Sequence, residues 1–242
     1  VSQRLYGALA GWWPLLSPPE DRADDAAALQ ALIPGARSLL EPGCGSGALV
    51  SHLPQDWDVV LVDRSPEMLT LSRANNPGRV HIEANLRTMS LGLTFDAVLL
   101  HDVVMYLAED GALDDALRVA AAHLKPGGRL VIVPDVLEDS FEETVVTGTG
   151  SHEDGRACVL TEWHHDPTPG DGQSEVELSL LYRRPGETVQ AVHERHTLLL
   201  ISAERLWERI QAAGLRPVSV DPMAAIALGR PFVAEKPAEA NA

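Results

Sequence analysis

From residue 38 onward, short apolar runs alternate with stretches whose apolar positions recur every three or four residues. That rhythm predicts repeated β-α-β units around a mostly parallel sheet. The runs 38–41 (Ser-Leu-Leu-Glu) and 59–63 (Val-Val-Leu-Val-Asp) place apolar side chains on both faces of an extended chain, so both are expected to be strands covered on either side. Ser65-Pro66 follows at once and predicts a helix, with Ser65 as its cap and Pro66 in the first turn, where a missing N–H costs nothing. Further strands are predicted near 79–83, over 95–100 and over 129–133. Between the last two, Leu113, Leu117, Ala121 and Leu124 mark one face of a helix that Lys125-Pro126-Gly127-Gly128 would stop.

On either side of this core the pattern changes. Residues 1–37 carry Leu5, Tyr6, Leu9, Trp12 and Trp13, then the breaker Ser17-Pro18-Pro19-Glu20, then an Ala-rich stretch ending at Pro34-Gly35, and predict a helical cap. Residues 136–201 hold β-rich runs at 157–165, 174–183 and 188–201, separated by turn material, and predict an antiparallel β insertion after strand five. Ser202 then caps a helix with Leu206 and Ile210 facing inward, and residues 216–220 and 224–228 are expected as the last two strands. The predicted fold class is α/β: a doubly wound, mostly parallel, seven-stranded Rossmann-like sheet. It divides into a cap (1–37), an α/β core (38–135), a lid (136–201), a completion of the core (202–233) and a disordered tail (234–242).

Composition narrows the partners more than it narrows the fold. A chain of 242 residues with 45% hydrophobic and 22% charged residues suits one soluble globular domain. The net charge of −16, with no basic cluster, would repel a phosphate backbone and argues against nucleic acid. No run approaches the ~20 apolar residues of a membrane-spanning helix, and no secretory pattern opens the sequence, so a cytoplasmic protein is expected. Cys44 and Cys158 have neither metal-ligand nor redox spacing.

The segment with the clearest chemistry is Glu41-Pro42-Gly43-Cys44-Gly45-Ser46-Gly47, read as a strand running into a Gly-rich turn that opens a helix. Its glycines permit positive φ and let a ligand lie against bare backbone, whose N–H groups favour an anion. Strand two ends in Asp63, placed to accept two hydrogen bonds from a ribose diol. A NAD-type fingerprint would put its third glycine three residues after the second, whereas here it comes two after.

With the acidic-x-Gly-x-Gly-x-Gly loop at 41–47, Asp63 ending strand two, Phe95-Asp96-Ala97-Val98 as strand four and Leu124-Lys125-Pro126-Gly127-Gly128-Arg129-Leu130 before strand five, the chain resembles the class I S-adenosylmethionine (SAM)-dependent methyltransferases. The resemblance covers residues 36–135 and 202–230, and implies SAM as cofactor and S-adenosylhomocysteine as product. It implies that Glu41 and the loop Gly43, Cys44, Gly45 and Gly47 hold the amino-acid part of SAM, that Asp63 binds the ribose, and that Arg64 and Met68 flank the adenine. Many relatives place an Asp after strand three to receive the adenine amino group. Here the positions read Ala84-Asn85-Leu86, so Asn85 would accept through its amide oxygen.

Methyl transfer from a sulfonium needs mainly proximity and orientation, with a base where the acceptor must lose a proton. The acceptor should sit above the C-terminal ends of strands four and five. His101, Asp102 and Tyr106 are the first candidates there. His101 can act as a base or pack beside the cofactor, and Asp102 can orient a cationic amine or cap the next turn. Tyr6, Trp12 and Trp13 can fold over the cofactor or belong to the core.

Five of the nine histidines lie in the insertion: His152, His164, His165, His193 and His196. Residues one or three apart on a strand point to opposite faces, so without a bulge the pairs 164/165 and 193/196 do not offer two ligands to one metal, and no metal is expected. One member of each pair, with Trp163 and Tyr182, is expected to face the pocket: His164 as a lid residue and His196 as a further catalytic candidate beside His101, Asp102 and Tyr106. Such lids occur in the bacterial amino-sugar N-methyltransferases and glycine N-methyltransferase-like enzymes that the layout resembles. The expected activity is methylation of N or O of a small metabolite. The alternatives are a SAM-binding fold with another reaction or with a regulatory role. The lid edge could pair two copies into a homodimer.

Overall fold

The computed structural model describes residues 3–238, so residues 239–242 of the predicted tail lie outside it. After the short helix α1 (Trp13–Leu16) and α2 (Ala23–Leu32), the chain forms β1 (Ser38–Pro42), β2 (Asp58–Asp63), α3 (Pro66–Asn75), β3 (Val80–Glu83), β4 (Phe95–His101), α4 (Ala112–Ala122) and β5 (Leu124–Val133). The insertion follows as β6 (Thr144–Ser151), β7 (Ala157–His165), β8 (Gln173–Arg183) and β9 (Gln190–Leu199), and the chain closes with α5 (Ala203–Ala212), β10 (Arg216–Pro217), α6 (Pro222–Ala227) and β11 (Phe232–Glu235). The main sheet has seven strands in the order β10-β11-β5-β4-β1-β2-β3, with only β11 antiparallel to its neighbours. This is the doubly wound, mostly parallel sheet that the sequence predicts.

Alternation within the strands explains why they are apolar throughout. Leu39, Leu61, Leu99 and Val131 pack with Leu29 and Leu32 of α2 on one face. Their neighbours Leu40, Val98, Leu100 and Leu130 pack with Leu113 and Leu117 of α4 and Leu206 of α5 on the other. The chain leaves β1 towards β2 on one side and β4 towards β5 on the other. A crevice therefore opens between the C-terminal ends of β1 and β4, where such sheets bind ligands.

Four local readings are corrected. Residues 224–228 are not a strand: α6 covers 222–227 because Asp221 accepts from Met223 N at 2.9 Å, Pro222 fits the first turn and the alanines favour helix. The last strand is β11 instead, which carries residues 234 and 235 of the expected tail into the sheet, and Lys236 Nζ then donates to the carbonyls of Ala121 and Leu124 at 2.9 Å each. Leu124 belongs to β5 and not to α4, the Lys125–Gly128 stretch lying inside that strand opposite its register shift with β4. No α-helix follows the glycine loop, only a 3-10 turn at Val50–His52, because Leu53 precedes Pro54 and a pre-proline residue avoids the helical region.

The insertion is a four-stranded antiparallel sheet in the order β6-β7-β8-β9. Its even-numbered residues Leu160, Leu178, Leu180 and Leu198 join Leu5, Leu9 and Trp12 in the core cluster on the α4 side of the main sheet. The N-terminal segment thus packs with the lid, and β9 lies on the turn Val104–Tyr106 that follows β4. Strand β6 is unpredicted, since Gly148 and Gly150 dilute its β signal. The second glycine has a packing cause: a Cβ on Gly150 would lie 2.1 Å from the Leu15 carbonyl oxygen, whereas one on Gly148 would meet only Leu16 Cδ2 at 3.8 Å. Gly150→Ala is expected to cost ~1–3 kcal/mol in denaturant unfolding, with Gly148→Ala as the nearly neutral control.

Candidate active site

The crevice is built from the C-terminal ends of β1, β2, β4 and β5 and covered by the N-terminal segment and the lid. Gly43, Gly45 and Gly47 all take positive φ (78°, 52° and 64°), so the turn after β1 uses the freedom read from its sequence. The N–H groups of Gly43 and Cys44 both donate to Val62 O, at 2.7 and 3.0 Å. Asp63 holds the middle of the loop, accepting from Gly45 N at 2.9 Å and from Ser65 N at 2.8 Å. Helix α3 clamps the far side: Asn75 Nδ2 donates to Ser46 O and Asn76 Nδ2 to Gly47 O, each at 2.9 Å. A Cβ on Gly47 would come within 2.4 Å of Ser72 Oγ, so this glycine is also a close approach.

Glu41, at the end of β1, is 4% exposed and its Oε2 has no hydrogen-bond partner among the described residues. Burial, then the nearby Asp63 and Asp102, push its carboxyl up to about 8. A buried acid without a partner fits a missing cation. Met68 is buried beneath the loop, its Cε 3.4 Å from a Cβ placed on Gly45. Arg64 is exposed and donates to Gln3 Oε1. Cys44 points its thiol into the core beside Ser72, so its contribution to the loop is backbone only. Asn85 is exposed and its Oδ1 already accepts from Arg87 N at 2.9 Å, while Leu86 packs against the core.

Above β4 and β5 lies a second group. His101 ends β4, its Nδ1 3.6 Å from Asp102 Oδ2, and burial, then Arg22, lower its pKa. Asp102 has φ +52°, a left-handed conformation uncommon outside glycine, and its N–H donates to Val133 O at 2.9 Å. The turn beyond it is headed by Val103 without a side-chain cap, so Asp102 is no helix cap. Its carboxyl neighbours that of Asp135, two residues beyond β5, and burial raises both, Asp135 to about 7 with Asp102 as the second cause.

Tyr6 and Tyr106 meet at 2.7 Å between their hydroxyl oxygens, with rings at 89°. Burial, reinforced for Tyr6 by Tyr106, raises both phenols, so both stay protonated at neutral pH. The ring of His196 lies 6.0 Å from that of Tyr6 and 5.9 Å from that of Tyr106. His196 is 3% exposed, contacts Glu194 through Nε2 at 3.1 Å and leaves Nδ1 without a partner among the described residues. Glu194 also accepts from the N–H groups of Arg4 and Leu5, both at 2.9 Å, and so ties the N-terminal segment to the lid. Trp13 packs edge-on to Tyr6 at 5.4 Å.

Not every expected lid residue reaches this group. Trp163 is 53% exposed on the outer face, because the inner positions of β7 are the even ones, occupied by Glu162 and His164, whose side chains meet at 3.2 Å. Tyr182 packs on the buried Trp12 at 4.9 Å, beneath Arg156 and Arg184, and makes core contacts there. His193 sits on the outer face with His165, Glu175, Glu177 and Arg195, where His165, Glu175 and Glu177 could gather a cation only in place of the Arg195 guanidinium that already meets Glu177 at 2.6 Å. The residues that the sequence reading missed are Asp135, Glu162 and Glu194. Each has a legible sign: Asp135 follows strand five as Asp102 follows strand four, and Glu-x-His occurs at 162–164 and 194–196, a spacing that puts acid and imidazole on one face of a strand. A cavity of ≈ 200 Å³ lined by Pro34, Asp96, Lys125 and Arg129 lies at the opposite, N-terminal end of the strands and touches none of these groups.

Comparison with known proteins agrees with this architecture. Residues 40–132 match the family model described as a methyltransferase domain. The chain is 32% identical over 197 residues to a dTDP-3-amino-3,6-dideoxy-α-D-glucopyranose N,N-dimethyltransferase of Streptomyces fradiae, covering 81% of this chain and 76% of that one. Among solved structures it resembles DesVI of Streptomyces venezuelae (TM-score 0.79, 25% identity, 96% of this chain and 98% of that one). It also resembles SAM-bound CalS10, an amino pentose methyltransferase of Micromonospora echinaspora (TM-score 0.74, 27% identity, 95% and 96%). The protein is an enzyme, its cofactor is SAM, and it moves a methyl group to nitrogen or oxygen of a small molecule. With its sheet order, its glycine loop and these relatives, the chain belongs to the class I SAM-dependent methyltransferases.

Proposed function

We propose that the enzyme methylates the amine of a small amino sugar, with Glu41, the 43–47 loop and Asp63 holding SAM. The observation that carries the choice of nitrogen is the charge of the acceptor side: Asp102, Asp135 and Glu162 stand near the two tyrosines, and among the described residues no Lys or Arg forms a salt bridge with any of them. An ammonium group relieves that excess of negative charge, whereas a neutral hydroxyl does not. The named substrates of the relatives, amino sugars, support the same choice.

In this reading Glu41 receives the ammonium of the methionine moiety, backbone N–H groups of the loop receive its carboxylate, and Asp63 accepts from the ribose. Met68 and Arg64 flank the adenine, with Asn85 and Leu86 at its edge. Bound SAM supplies a methyl group on a positively charged sulfur. The chain's own groups orient the acceptor: Tyr6 and Tyr106, kept as phenols by burial, and the free Nδ1 of His196 offer hydrogen bonds to sugar hydroxyls. His101, held neutral by burial, shields the base of the pocket. The buried free thiols suit a reducing, cytoplasmic setting, and the outer strands β6 and β9 of the lid are where two copies would pair.

The test is incubation with SAM and three acceptors: dTDP-3-amino-3,6-dideoxyglucose, the free amino sugar, and the analogue with hydroxyl in place of amine. The expected result is S-adenosylhomocysteine with one and then two methyl groups on nitrogen. Methylation of the hydroxyl analogue at an equal rate would contradict the reading.

A further inference from the structure

Two neighbouring carboxylates that, among the described residues, form no salt bridge with Lys or Arg are an uncommon arrangement, and here they follow β4 and β5 on the acceptor side of the crevice. Asp102 and Asp135 leave neighbouring parallel strands at the same level, tied by the Asp102 N–H to Val133 O bond of 2.9 Å. The strained φ of +52° at Asp102 is the cost of turning its side chain at once after β4. Two independent observations point to a ligand beside them: the partnerless Oε2 of Glu41, 4% exposed, and the partnerless Nδ1 of His196, 3% exposed, whose ring packs against the Tyr6–Tyr106 pair. An acid pair alone would be a structural oddity. Asp102 is close enough to Glu41, and Asp135 to the two tyrosines that His196 packs against, for each to influence the other's ionisation.

Resting on the N-methylation reading, we propose that Asp102 and Asp135 act as one catalytic unit, a carboxylate pair that binds the acceptor as an ammonium ion and takes its proton before methyl transfer. The ammonium nitrogen gives one proton to the pair and recovers its lone pair. That lone pair forms the bond to the methyl carbon while the methyl–sulfur bond breaks, its electrons remaining on sulfur as a neutral thioether. The product is a methylammonium, which must lose a further proton before a second methylation, so the pair passes its proton to solvent between rounds.

Like charges in contact cannot both ionise easily, which places the pair's second proton loss near neutrality, where a base for an amine is most effective. The titration of Asp135 near 7 follows from burial and then from Asp102. The groups around the pair act in both directions: Arg22, ahead of α2, favours ionisation of Asp102, Asp25 of α2 opposes it, His101 lowers Asp135, and Glu162 of β7 raises it. Tyr6 and Tyr106 feel Asp135, and Glu41 of β1 feels Asp102.

Asn is a suitable replacement at both positions, since it is isosteric with the protonated acid and tolerates left-handed φ. Aspartate carboxyl carbons labelled with carbon-13 in the S-adenosylhomocysteine complex should show a coupled titration with a midpoint near 7, absent from Asp135→Asn and from Asp102→Asn. With an accepted amine, kcat/KM of the wild type should rise with pH through that midpoint. Asp135→Asn should lower kcat by about 100-fold and lose that rise, while SAM affinity stays within about threefold. No titrating pair, or an Asp135→Asn enzyme with unchanged rate and pH profile, would overturn the proposal. Failure of the N-methylation reading looks different: the pair still titrates, but only oxygen acceptors, or none, are methylated.

Discussion

Glu41→Gln is expected to weaken SAM binding about 10- to 150-fold above pH 8, the range for losing a charge-assisted hydrogen bond of about 1.5–3 kcal/mol. The argument starts from burial: the wild-type carboxyl ionises only at about 8, because water is excluded and Asp63 and Asp102 are close. Binding the cofactor's ammonium requires the carboxylate, so below that value a proton must leave as SAM binds. Wild-type affinity should therefore fall about tenfold per pH unit below about 8, and the Gln protein should lack this slope. The sign for stability is the reverse of a usual acid. Between its ordinary value of 4.5 and about 8 the folded apoprotein keeps the proton that the unfolded chain has lost. Apoprotein stability thus falls as pH rises through that window, and Glu41→Gln should remove the fall. Calorimetry and denaturant titrations across pH read both effects.

Asp63→Ala should be more damaging, on the order of 100-fold or more in SAM affinity, because it removes two things together. One is the acceptor we propose for the ribose. The other is the brace of the loop, since Gly45 N and Ser65 N would both lose their partner. Leaving two such donors unmet costs ~1–3 kcal/mol each where they are buried, so unfolding free energy should fall too. Asp63→Asn, which keeps one acceptor oxygen, separates the two contributions: it should retain more of the loop than of the affinity.

The conformation of the glycine loop was legible because its constraints are local. Positive φ at Gly43, Gly45 and Gly47 and the Ser65 cap of α3 depend on neighbours in sequence, and the alternating apolar strands carry their own sign of burial. The acceptor side was legible only in part, since its groups converge from distant segments. Tyr6 meets Tyr106 across 100 residues, and Glu194 reaches back 189 residues to Leu5. Glu-x-His could have been read as a face, but comparing histidines only with each other hid the acids beside them. Trp163 shows the converse: strand parity alone sends it outward, whatever its size. At the C-terminus, Ala224 to Leu228 has the composition of either element, and the Asp221-Pro222 cap decided for helix. Gly150 was unreadable as a packing requirement, because its reason is Leu15 in another element.

The most direct test of the central claim, that the crevice after β1 and β2 is the SAM site, is a calorimetric titration of the intact chain with SAM and, separately, with NAD. One SAM bound per chain, with NAD inert and a proton released at neutral pH, is the predicted result. Binding of NAD in place of SAM, or SAM binding unaffected by Asp63→Ala, would contradict it.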